Sequence, residues 1–489
     1  MLDFLKQEAN RTFTENGAVA YKSTESYCLD LFASMGALRH RSADEVIDLF
    51  TCAFIENEDI AMKLLFLARD VRGGLGERKL FRTLYNWLAF NEPTSVIKNM
   101  KYVAEFGRYD DLLVLMDTPC EPAMLVYLKE LYVKDLEAMA KGQPISLLAK
   151  WLPSINASSE ATRKNAQRIA RAFGLKAKEY RQSLSELRAH IFLLENYLRI
   201  KDYSFAYDKQ PSKALFKYRA AFIRNDNERY MDFIDKVSKG KAVMHADHVM
   251  PYELVDKCLS AITHRSTAKD EISVLNATWD ALPNFGNNEN ALAVVDTSGS
   301  MYWSCSPMPI SVALSLGLYF AERNEGVFKN YFIEFSARPE LIQIKGKNFF
   351  EKVLYLSQFS QVANTNLEAV FDLILHTAIK HNVKQKDLPQ KLIIISDMEF
   401  DSCVYDASST VFENAKIQYQ QAGYELPQVV FWKVEDRNGH QPVKMNEQGV
   451  ALVSGVTPHI FEMVMGDIKN PYEVMMKVVE SERYAMIRA

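Results

Sequence analysis

Between about residues 25 and 270, apolar side chains recur at three- and four-residue spacing. AMKLLFLARD, KLFRTLYNWLAF, PAMLVYLKELYVKDLEAMA and YRQSLSELRAHIFLLENYLRI each place them on one face of a helix. Short polar or glycine-bearing breaks such as VRGGLGER and EFGRYDD join them. The pattern predicts stacked antiparallel helix pairs of the HEAT-like kind, with no strict sequence period. The stretch Asn276–Asn290, NATWDALPNFGNNEN, is rich in Asn, Gly and Pro and marks a boundary. After it the pattern alternates. Strands are expected at Ala291–Val295, Asn330–Phe335, Lys391–Ser396, Gln428–Lys433 and Val450–Val453. Helices are expected at Ile310–Arg323, Leu367–His381, Thr410–Gly423 and Tyr472–Arg483. The expected fold class is therefore multidomain α and α/β: an α-helical repeat domain over residues 1–284 and a doubly wound α/β domain over 285–489.

Composition changes this picture little. The 489 residues are 48% hydrophobic and 25% charged, as in an ordinary globular protein too long for one core. The opening MLDFLKQEAN has no apolar run after a basic one, so no signal peptide is expected, and no apolar run suffices for a membrane span. Cys28, Cys52, Cys120, Cys258, Cys305 and Cys403 are scattered and never at CxxC spacing, which fits reduced thiols in a cytoplasmic protein.

Charge distribution changes it more. The net charge is −4. Residues 1–140 carry −6, residues 141–242 carry +11 and residues 243–489 carry −9. A strongly positive segment inside an acidic chain points to a polyanionic partner. Lys178, Arg181 and Arg188 fall on one face of a helix expected from Lys178 to Arg199, whose apolar stripe is Leu184, Leu187, Ile191, Leu194 and Leu198. Lys213, Lys217 and Arg224 form a second basic stripe on the next helix. Together they could follow a phosphate backbone, and Tyr180, Tyr197, Tyr203, Tyr207, Tyr218 and Tyr230 interleave with them as candidates for base stacking. Solvated helix faces paired with Glu179, Glu186 and Asp226 are the bland alternative.

The sharpest chemical signal is ALAVVDTSGSM, from Ala291 to Met301. A buried strand ends in Asp296, Ser298 and Ser300, short oxygen-bearing side chains at alternate positions. KLIIISD similarly ends a strand in the carboxylate of Asp397, and Thr365 precedes a helix between the two. Asp296, Ser298, Ser300, Thr365 and Asp397 offer five hard oxygen donors suited to Mg²⁺ or another divalent cation, with water or a partner's carboxylate completing six-coordination. The same side chains could instead cap a helix and bind backbone amides.

This arrangement resembles the metal-ion-dependent adhesion site of von Willebrand factor A domains. The resemblance implies that Asp296, Ser298, Ser300, Thr365 and Asp397 surround the ion. Thr377, one helix further on, competes with Thr365 for its role. Met398 and Glu399 stand where many family members have a glycine, so Glu399 could crowd or replace a ligand. Helical repeats followed by such a domain resemble the TROVE module of Ro-type ribonucleoproteins. Ala68–Phe81, Phe106–Leu113, Leu147–Ser154, Tyr180–Arg188 and Pro211–Phe222 look more closely like a family of TROVE-like proteins in cellular and viral genomes. The resemblance implies a helical ring closed by the A domain and binding of small structured RNAs or single-stranded RNA ends.

The expected function is thus non-catalytic RNA binding in a small ribonucleoprotein, with a Mg²⁺-binding A domain. The alternative is a metal-dependent scaffold that grips a protein partner through the ion. A metal-dependent nuclease is a third reading, drawn from the acidic cluster Asp397, Glu399 and Asp401, and the hydroxyl-rich donor set argues against it. RGGLGER fits neither GxGxxG nor the P-loop and reads as an interhelical turn, although Arg69, Arg72, Arg78 and Lys79 could meet phosphate. His245 and His248 form an HxxH with no third zinc ligand nearby, and local context suggests no Cys/His pairing.

Overall fold

A computed structural model describes residues 1–264, 268–285, 289–335, 338–358, 365–402 and 409–489. Cys403, and residues 286–288 of the expected boundary, lie outside them. Near the N-terminus, β1 (Arg11–Phe13) and β2 (Val19–Tyr21) form an antiparallel pair. The C-terminal half holds a six-stranded sheet of β3 (Ala291–Asp296), β4 (Tyr331–Phe335), β5 (Glu340–Gln343), β6 (Lys391–Ser396), β7 (Gln428–Lys433) and β8 (Val450–Ser454). Their spatial order is β5-β4-β3-β6-β7-β8, all parallel except β5.

Strand alternation divides this sheet between two cores. Ala291, Ala293 and Val295 of β3, Ile393 and Ile395 of β6, and Val430 and Trp432 of β7 face one. Leu292 and Val294, Leu392 and Ile394, and Val429 and Phe431 face the other. Helix 309–323 covers the first face, and helices 367–381 and 411–421 cover the second. The five expected strands and four expected helices occur within a few residues of their positions. β1, β2, the antiparallel edge β5 and helix 349–356 were not foreseen.

The first core continues without a break into the helical half. Both chain ends interlace the two halves. Helix 27–34 packs on β8, and at Gly36 a side chain would meet the Ser454 carbonyl oxygen at 2.2 Å, so only glycine permits the approach. At the other end, helix 471–479 and the final turn lie against helix 58–69, where the backbone N–H of Ala489 donates to Asp59 at 2.8 Å.

One helix departs from expectation. The continuous helix from Lys178 to Arg199 is two: 177–190 and 194–199. Phe192 between them has φ 54°, a left-handed turn that swings the chain aside. Leu184 and Leu187 therefore enter the first core, while Leu194 enters a third, formed with helices 212–225 and 227–238. No helix among the described residues is long and apolar enough to cross a membrane.

Candidate functional site

The sheet changes winding direction between β3 and β6, where a doubly wound sheet opens a crevice at its carboxyl edge. Val295 pairs with Ile395 there, so Asp296 and Ser396 emerge side by side. Ser396 Oγ donates to Asp296 Oδ2 at 2.5 Å, and the Ser298 backbone N–H donates to Oδ1 at 2.9 Å. The Ser298 and Ser300 hydroxyls are 3.1 Å apart. Arg437 Nη2 donates to Asp397 Oδ2 at 2.9 Å, and the Glu399 N–H to Oδ1 at 3.2 Å. Burial, reinforced by the Asp397 charge, pushes the Asp296 carboxyl up to about 7 against the bonds from Ser298 and Ser396. Burial also raises Asp397, opposed chiefly by Arg437 and then by Ser300. Two buried carboxylates disfavouring each other's charge, beside two hydroxyls, are a donor set that fits a hard divalent cation.

Thr365 is tied to the N-terminal turn and to Asp401, not directly to these four side chains. Asn16 Nδ2 donates to the Glu399 carbonyl at 2.6 Å and lies 3.4 Å from Thr365 Oγ1. The Thr365 carbonyl accepts from the Asp401 N–H at 2.8 Å. Thr14 Oγ1 donates to the Phe400 carbonyl at 2.6 Å, Gly17 bridges Asp401, and Glu15 pairs with Arg437 at 3.1 Å. The turn between β1 and β2 thus lies over the carboxyl edge of the sheet, which its short polar sequence did not announce. Thr377 is exposed and spends its hydroxyl on the Leu373 carbonyl within its own helix. Glu399 is held by partners of its own, although its charge adds to the rise at Asp397. His440 Nε2 (3.1 Å), Asn438 Nδ2 (2.7 Å) and the Glu15 N–H (2.7 Å) hold its carboxylate. Burial raises Glu399, but these partners outweigh it and leave it below its usual range.

The basic residues separate into two kinds. Arg188 is structural: its guanidinium donates to the carbonyls of Ala149 and Leu152 at 2.8 Å each and to Ser154 Oγ at 2.9 Å. The motif segments Leu147–Ser154 and Tyr180–Arg188 are thereby clasped, with Tyr180 Oη adding a bond to the Pro153 carbonyl at 3.0 Å. These bonds occupy the guanidinium expected to meet phosphate. The two basic stripes are not on successive helices either, since helix 194–199 intervenes. Tyr218 Oη of the second stripe reaches Glu195 on that helix at 3.3 Å. Lys213 is paired with Glu253, and Lys217 lies 4.9 Å from the centre of the Tyr218 ring. Lys178, Arg181 and Arg224 are exposed.

Tyr180, Tyr207 and Tyr230 are buried in cores, so they cannot stack bases. An exposed aromatic appears instead at Phe192, 73% accessible beside the helix break. It lines a cleft of about 540 Å³ with Arg181, Arg188, Tyr197 and Arg199. Phe192 and Arg199 carried no signal in the sequence, because the break that exposes them is hidden in an apolar run.

The arginines around RGGLGER serve the fold. Arg69 is buried against Asp111 at 2.7 Å, Arg78 pairs with Asp110, Arg72 binds the Glu105 carbonyl and Lys79 the Arg39 carbonyl. A side chain at Gly107 would meet Asp111 Oδ2 at 2.5 Å, which explains the glycine of FGRYDD.

Residues 14–122 and 158–284 match a domain of unknown function, DUF2828. Residues 290–486 match a second domain of unknown function, DUF7788. The chain is 29% identical to the uncharacterised protein L728 of Acanthamoeba polyphaga mimivirus over 514 residues, covering 96% of this chain and 88% of that one. Among solved structures it is similar to the Ro (RSR) protein of Deinococcus radiodurans, with TM-score 0.38 and 13% identity over 90% of this chain and 98% of that one. At that level neither function nor partner transfers.

Proposed function

We propose that this protein binds RNA without catalysis, in a small ribonucleoprotein, and that its α/β half is a von Willebrand A-like domain holding Mg²⁺ or another divalent cation. The RNA reading is carried by one observation: the exposed Phe192 and the half-buried Tyr197 line one cleft with Arg181 and Arg199, in the segment whose charge is +11. Arginine supplies forked phosphate contacts, and an exposed ring stacks any base. Unpaired ends or loops suit such a cleft better than regular duplex, whose deep groove side chains cannot read. The sequence resemblance to Ro-type proteins points the same way.

Asp296, Ser298, Ser300, Thr365 and Asp397 would hold the ion, which would supply a Lewis-acidic point for a partner's carboxylate. A metal-dependent protein scaffold is the second reading, favoured by this donor set. The deciding experiment measures affinity for a structured RNA with a single-stranded 3′ tail as a function of salt. About 6–10 phosphate contacts cost roughly 10³–10⁵ in affinity between about 50 and 200 mM salt. Such a slope, surviving Asp296→Asn, supports RNA binding. Weak, salt-insensitive binding overturns it and leaves the scaffold.

A further inference from the structure

Three ligand-bearing side chains meet beside the carboxyl edge of the sheet, from segments far apart in the chain. His40 follows helix 27–34, Cys305 follows β3 and Glu435 follows β7. His40 Nδ1 lies 2.9 Å from Glu435 Oε2, and one ligand atom from each of the three lies within 4.8 Å of the others. We propose that His40, Cys305 and Glu435 form a zinc site that ties the helical half to the sheet.

Two observations carry this beyond a chance cluster. The Glu435 side chain is only 3% accessible, yet its Oε1 has no hydrogen-bond partner among the described residues. A buried carboxylate oxygen left without a partner is costly, and a cation at this point satisfies it. The ligand chemistry is also specific. A thiolate, an imidazole and a carboxylate suit zinc, whereas Mg²⁺ takes oxygen ligands alone.

The charges balance. Nearby Arg39 is paired with Glu77 through Nη2, its Nη1 having no hydrogen-bond partner among the described residues, and Arg437 is paired with Asp397 and Glu15. A carboxylate and a thiolate then match the two charges of zinc. Binding breaks the Cys305 S–H bond, forms a zinc–sulfur bond and releases one proton to solvent. Cys305 Sγ otherwise makes a weak contact to the Pro307 carbonyl at 3.3 Å. Bonds of about 2.0–2.3 Å set tetrahedral ligands roughly 3.3–3.8 Å apart, so side-chain rotation closes the set. The His40 side chain is 24% accessible, which leaves a fourth position open to water. The site is separate from the hydroxyl-rich one and does not depend on the RNA reading.

The test uses the full chain, freed of metal with a chelator and then titrated with Zn²⁺ or Co²⁺. With Mg²⁺ in excess to occupy the hydroxyl-rich site, one zinc per chain is expected, and Co²⁺ is expected to give a sulfur-to-metal charge-transfer absorption. Cys305→Ser should abolish that absorption and weaken zinc binding roughly a hundredfold. Glu435→Gln should weaken zinc while keeping the absorption. Zinc should also shield Cys305 of the unaltered protein from alkylation, read by mass spectrometry, which needs no variant to fold. Absence of the absorption, its persistence in Cys305→Ser, or unchanged alkylation with zinc overturns the proposal.

Discussion

Arg483 Nη2 donates to Asp70 Oδ1 at 2.6 Å across 413 residues of chain, fixing the C-terminal turn to the end of helix 58–69. Tyr484 Oη adds a bond to Asp70 Oδ2 at 3.0 Å, and Asp70 is fully buried. Removing a buried carboxylate leaves both donors stranded. Asp70→Ala is expected to cost about 2–3 kcal/mol, below the value for a wholly buried pair because the Arg483 side chain is 32% accessible. Asp70→Asn, which keeps an acceptor, should cost about half as much. Urea unfolding measures this, and a loss under about 0.5 kcal/mol would show that the turn does not secure the fold.

The same joint should respond to pH. Burial holds the His459 imidazole below its usual value, Asp70 opposing and His248 and Arg483 adding to the shift. The unfolded chain therefore takes up the proton first as pH falls. Stability is full above the unfolded value near 6.5 and is lost as pH falls from there toward the lower folded value. His459→Gln should flatten the fall in thermal midpoint between about pH 7.5 and 5.5. An identical slope in both proteins would assign the effect to other groups.

Much of this architecture was legible in the sequence. The runs Ala291–Val295 and Leu392–Ile395 are apolar throughout because both sheet faces are covered, and their shortness favours a strand over a helix. Asp296 and Asp397 could be placed at one edge because parallel strands end together. Contacts made across the chain were not legible. Nothing near Arg188 reveals the carbonyls of Ala149 and Leu152 that claim it, and nothing near Phe192 reveals its left-handed backbone. His40, Cys305 and Glu435 have no shared spacing at all, and meet only because the N-terminal helix crosses to the sheet.

The proposed divalent site should be visible as stability. A ligand that binds only the folded state at about a hundred times its Kd adds about 2.7 kcal/mol. Mg²⁺ is expected to raise the thermal midpoint of the unaltered protein and to leave Asp296→Asn and Asp397→Asn unmoved. Without metal, Asp296→Asn should be no less stable than the parent, because it removes a buried charge that Asp397 opposes. A Mg²⁺ effect of equal size in parent and variants would place the ion elsewhere.

RNA binding, finally, should divide by residue. Arg181 and Arg199 are exposed cleft residues, so reversing both to Glu leaves the fold intact. Every phosphate of a single strand that is no longer neutralised flattens the logarithmic salt slope by about 0.7. Reversing Lys213, Lys217 and Arg224 should do less per residue, because Lys213 already answers Glu253 and Lys217 rests on Tyr218. Phe192→Ala removes a stacking face and no charge. It should weaken binding to a single-stranded tail by about 1–3 kcal/mol at constant salt slope. Filter binding of tailed and blunt RNAs at several salt concentrations separates the two effects. A Phe192→Ala protein that binds tails as the parent does would remove the ring from the interface. Equal losses on tailed and blunt RNA would make the cleft a general phosphate track and not a receptor for unpaired ends.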